Sequence, residues 1–179
     1  MRTILGVLFF AVIIGMGWYI NDRQNKVIEF NERIVDLLTK TSGYFDDYTY
    51  HLDKYYEGAE VDLAQMKIEL NKLGKNADSV MAAAKQVAVP DHPQCREFYA
   101  ASMKYLEYNN DITAAYDDII TYIASHNPGT ENDFAAVDTI MEPIINTDDT
   151  LFLEVTATQE DMAKKFDFDL KSNGRYLYP

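Results

Sequence analysis

The residues best equipped for chemistry in this chain are three histidines, one cysteine and 13 tyrosines, and their spacing narrows what that chemistry can be. His51 and His126 fall on inward positions of two different helical segments, both near one end of those segments. At a rise of about 1.5 Å per residue they stand about 7–8 Å apart along the axis, so the layer of His51 matches Tyr122 better than His126. A His51–Tyr122 hydrogen bond is therefore expected. Metal sites in helical bundles pair carboxylates with Glu-x-x-His, and c-type haem needs Cys-x-x-Cys-His; the chain has neither, nor His-x-x-x-His. No cofactor is expected. His92 and Cys95 are three apart across a helix start, with no third group to orient a nucleophile and its base. A Gly-rich phosphate loop and a Gly-x-Ser-x-Gly elbow are also missing. The chain reads as non-catalytic.

The tyrosines say more. Tyr48, Tyr55, Tyr105, Tyr108 and Tyr122 all fall on inward positions, and a buried phenol seeks a hydrogen-bond partner. Thr41, Asn109, Asp148 and the histidines are available. Ordinary aromatic packing accounts for such a seam; a polar ligand cavity between helices is the functional alternative. Its expected residues are Tyr48, His51, Tyr55, Tyr122, His126 and Asp148. Cys95 has no internal partner, and is either a small buried hydrophobe or a thiol open to another chain. Asp46-Asp47 and Asp117-Asp118 fall on outward positions and read as solvated faces.

These side chains depend on helices to position them. Gly58, Pro90 with Pro93, and Pro128-Gly129 divide the chain into four segments with helical periodicity. The first, about 24–57, has Val27, Phe30, Ile34, Leu37, Thr41, Tyr44, Tyr48, His51 and Tyr55 on one stripe. The second, about 60–88, repeats the pattern from Leu63 and Met66 through Ala84 and Val87. The third has Phe98, Tyr105, Ile112, Ile119 and Tyr122, and Asp91 with Gln94 resembles a capping box at its start. The fourth, about 131–170, starts at Thr130 with Asp133 and carries Phe134, Val137, Met141, Ile144, Leu151, Val155 and Met162. Pro143 and the polar run to Thr150 predict a kink or break there. Short turns between long helices favour antiparallel neighbours. The expected fold is all-α: an N-terminal transmembrane or signal-anchor helix (1–23), an acidic up-down-up-down four-helix bundle (24–170) and a tail (171–179).

The leader is the apolar run from Ile4 to Ile20, bounded by Arg2-Thr3 and Asn21-Asp22-Arg23. As a helix it spans about 25 Å, close to the ~30 Å hydrocarbon core, with Trp18 and Tyr19 placed for the interface. A single-pass anchor with the bundle outside the cytoplasm is expected. Cleavage near Gly17, releasing a secreted bundle, is the alternative. Net charge is −13, from 16 Lys and Arg against 29 Asp and Glu. Such a surface repels nucleic acids, which are excluded as partners, and suits cationic or neutral ones. Two functions remain in view. One is a membrane-anchored interaction or scaffolding module, working with a protein partner or as a homo-oligomer. The other is a ligand-sensing bundle that signals through a partner; a metal- or haem-binding bundle ranks below both.

Overall fold

The computed structural model describes residues 22–41 and 46–170, the side chains of 46–48 excepted. Among them are five helices and no strand: α1 over 22–41, α2 Asp46–Tyr56, α3 Leu63–Ala84, α4 Pro93–Ser125 and α5 Glu131–Phe166. The expected membrane segment 4–20, with its cleavage site, and the tail 171–179 lie outside the described residues. Among the described residues no helix is long and apolar enough to cross a membrane.

Local chemistry sets the helix ends. Asp62 accepts from the Ala64 and Gln65 N–H groups, both at 3.0 Å, and so caps α3. The capping box expected from Asp91 and Gln94 does not form. Pro93 opens α4, His92 becomes the N-cap, and Asp91 pairs instead with Arg96 Nη1 at 2.6 Å. The box at α5 does form: the Asp133 carboxylate accepts from the Thr130 N–H at 2.9 Å and hydroxyl at 2.6 Å. At the other end of α5, Asp167 adopts a left-handed cap at φ 53°. There the Gln24 side-chain amide donates to the carbonyls of Phe166 (3.0 Å) and Asp167 (2.9 Å), satisfying acceptors that the helix end leaves open.

The expected break near Pro143–Thr150 is absent, for α5 is one helix of 36 residues. Pro143 removes an N–H, but it and Thr139 are exposed, so water can serve the carbonyl left without that donor. The buried stripe of Val137, Ile144, Leu151, Val155 and Met162 runs straight through the region. Packing of that stripe outweighs local propensity.

Two apolar cores lie end to end. The first joins Val27, Phe30, Ile34 and Leu38 of α1 to Val80 and Ala84 of α3, Cys95 and Phe98 of α4, and Val155 and Met162 of α5. The second joins Leu52 and Tyr55 of α2 to Met66 and Leu70 of α3, Ile119 and Ile123 of α4, and Val137 of α5. The end of α3 thus meets the start of α4, and the start of α5 meets the end of α4, so successive long helices run antiparallel. A buried amide pair crosses the first core, Gln159 Nε2 donating to Asn31 Oδ1 at 2.8 Å. Beside the second, Asn127 accepts from the Val61 N–H (2.9 Å) and donates to its carbonyl (2.8 Å), clasping the α4–α5 turn to the α3 lead-in. Tyr108 packs against both cores and marks where they meet.

Candidate functional site

Polar side chains converge at that junction. Tyr105, Asn109, Ile112 and Tyr116 follow one another on α4 by steps of four, three and four, which sets them on one face. Ile144, Ile145 and Asp148 of α5 face them, with Thr49 of α2 at the side, around a groove of about 250 Å³. Tyr105, Asn109 and Tyr116 are buried at 8%, 2% and 6% exposure, Asp148 is half-buried, and Ile145 stands at the rim, 50% exposed. Backbone bonds hold the walls in place. The Asn109 side-chain amide donates to the Tyr105 carbonyl at 2.9 Å, and the Tyr108 hydroxyl donates to the Ile144 carbonyl at 2.7 Å, tying α4 to α5 beside Pro143.

The electrostatics follow from burial. Desolvation raises the pKa of the Asp148 carboxyl; a hydrogen bond from Tyr105 opposes the shift and the neighbouring Asp149 adds to it. Burial, and then the Asp148 charge, push the Tyr105 phenol up to about 12. Tyr116 is raised by the same two causes in the same order. The phenols are therefore neutral donors at any physiological pH, and among the described lining residues Asp148 is the one acid, with no Lys, Arg, His or Cys. In this lining the neutral phenols can donate hydrogen bonds, and the Asp148 carboxylate can accept them or face a cation.

The six residues expected from the sequence do not form one site. Tyr48 lies outside the described side chains, and Asp148 sits in the groove. His51 stands apart on α2, half-buried, its ring 5.6 Å from that of Tyr50. Tyr55, Tyr122 and His126 gather instead at the α4–α5 turn. The Tyr122 hydroxyl donates to Asp133 Oδ1 at 3.1 Å, in place of the expected His51 bond. His126 stacks on the Tyr122 ring at 4.3 Å, and its Nε2 is 4.0 Å from Asp133 Oδ1. Hydrogen bonds from the Thr130 hydroxyl and N–H hold the Asp133 pKa below its ordinary value. Tyr55 is fully buried edge-on to Phe134, at 5.4 Å between ring centres, and its hydroxyl finds no hydrogen-bond partner among the described residues. A β-carbon at Gly129 would come within 2.5 Å of Tyr55 Cζ, so that turn requires glycine. This cluster closes the end of the bundle. Among the described residues no three metal-binding side chains come together.

Cys95 is fully buried in the first core, and burial pushes its thiol up to about 11. A disulfide to another chain would require that core to open. Asp117 and Asp118 are exposed, as their outward positions imply. Of the groove residues, Thr49, Tyr116 and Ile145 are not picked out by the sequence pattern, and Tyr116 is the one it could have reached. Its signal was the step of four from Ile112, masked by the apolar Ala115 beside it.

Fold and groove together define a helical bundle with a polar pocket at mid-length. No protein-family model matches the sequence, no curated protein matches it, and no solved structure matches the fold.

Proposed function

We propose that this chain is a membrane-tethered, non-catalytic ligand-binding bundle that passes its signal to a partner protein. The observation that carries the reading is the groove, where three buried polar side chains and a half-buried carboxyl converge at the junction of two apolar cores. In this reading α1 and α2 form one rod of an up-down-up-down four-helix bundle. The run 4–20 is its single-pass anchor, and the bundle lies outside the cytoplasm, or is secreted if cleavage occurs near Gly17. A ligand that bridges α4 and α5 beside α2 would change how the two cores sit on each other, which is a way to report occupancy. The test is a thermal-shift screen of small ligands on the full chain in detergent, wild type against Ile145→Trp. Binding ligands raise the wild-type midpoint by mass action and leave the variant, its groove mouth filled, unmoved. A screen that moves neither protein overturns the proposal.

A scaffolding module is the second reading. It is supported by the acidic surface and by Tyr50, Ile68, Ile145 and Leu153, large apolar side chains 49–67% exposed on α2, α3 and α5. Such a module would hold a protein partner or a second copy of the chain. Pull-down from detergent extract under conditions where no small ligand binds would favour it.

A further inference from the structure

We propose that the groove takes a small organic cation, an amine on a compact aromatic or apolar body, with its ammonium against Asp148 and its body between Tyr105, Tyr116 and the three isoleucines. The inference rests on the reading of the groove as a ligand site and adds the chemical class of the ligand.

Three features point to a cation. Among the described lining residues Asp148 is the only formally charged side chain, and no lysine or arginine stands among them to neutralise it. Lys104, next to Tyr105 in sequence, is engaged by Glu154 of α5 at 2.7 Å. Secondly, the walls are phenol rings, whose negative faces attract ammonium groups and whose apolar edges accept the attached body. Thirdly, the net charge of −13 gives the molecule a field that draws cations in and turns anions away. Asp149, next to Asp148, strengthens that preference locally.

Size limits the body. A volume of about 250 Å³ equals roughly eight water molecules at ~30 Å³ each, room for about ten non-hydrogen atoms. Ile112 and Ile144 form the floor and half-exposed Ile145 the rim, so the apolar end is bounded on two helices.

The test uses the full chain in detergent and three matched probes: phenethylamine, 2-phenylethanol and phenylacetate. Titration calorimetry should show phenethylamine binding roughly tenfold or more tighter than the other two, as expected for one charge-assisted contact. Asp148→Asn should remove that advantage and leave 2-phenylethanol within about twofold, while Ile145→Trp, a change at an exposed rim, should weaken all three. Equal affinity for the amine and its neutral or anionic counterpart overturns the cation assignment and leaves the groove reading standing. So does an amine affinity untouched by Asp148→Asn. Absence of binding by all three probes, together with no ligand from the screen that Ile145→Trp blocks, overturns both.

Discussion

Asp148 is a carboxyl in a place that disfavours its charge. Tyr105, Tyr108 and Tyr116 face it from α4, Asp149 adjoins it on α5, and among the described side chains of α2 its neighbour is the uncharged Thr49. Its pKa in the folded chain is raised above the ordinary value of about 3.9. The sign of the linkage follows. The stability that Asp148 contributes is fully present below its unfolded pKa, and is lost as pH rises through the folded one. Asp133 behaves in the opposite sense: its lowered pKa gives stability that is present at neutral pH and lost in acid. Asp148→Asn should therefore unfold at a higher temperature than wild type at pH 7, with the difference shrinking below about pH 4. Thermal melts across that range check it; a variant less stable at pH 7 would show that the carboxylate supports the fold. A carboxylate kept at the expense of stability is what a binding site requires. The residue scale also shows where sequence reading stops. Period alone placed Tyr105, Tyr108 and Asp148 inward, because an α-helix has one buried stripe. It could not say that Asp148 meets Tyr105 rather than the histidines. That choice depends on axial register, which the Asn127 clasp and the Gln24 cap help to set across more than 60 residues of sequence.

At the scale of the element, α5 holds the main departure from expectation. A proline followed by a polar run reads as a kink or a break, yet no break occurs, because the stripe is buried in both cores in turn. Threonine side chains reinforce the exposed face. Thr139, Thr147 and Thr150 each bond a carbonyl one turn back at 2.8 Å, so these hydroxyls are used along the helix rather than for terminating it. The four stripes and the α5 capping box were legible because they are local patterns. Continuity at Pro143 was not, since it depends on partners from α4, including the Tyr108 bond to the Ile144 carbonyl. Pro143→Ala supplies the missing N–H at an exposed site. It should stabilise the protein by about 1–3 kcal/mol, the interior proline penalty less the entropy that proline removes from the unfolded chain. Chemical denaturation of the two proteins measures this directly. A loss of stability would mean that the α4–α5 contact depends on proline-shaped backbone there.

For the molecule as a whole, the two cores and their ties, among the described residues, begin just past the apolar run 4–20. Val27 is the first buried core residue, and Gln24 already caps α5 from the other end of the chain. The described packing of both cores is thus built from residues after Asn21. The bundle's charge makes it indifferent or hostile to an anionic bilayer, so membrane attachment, if the leader supplies it, rests on the run 4–20 alone. This separates the two halves of the molecule experimentally. Removing 1–21 should move the protein from the membrane fraction to the soluble one and leave the helical circular-dichroism signal and the melting transition intact. Truncation three residues further, through Gln24, should lower the midpoint, because the carbonyls of Phe166 and Asp167 lose their cross-chain donor at a net value of about 1 kcal/mol per hydrogen bond. A shorter chain that still sediments with membranes would overturn the anchor. A chain without 1–21 that no longer folds would show that the leader packs on the bundle, and the first core would then extend beyond Val27.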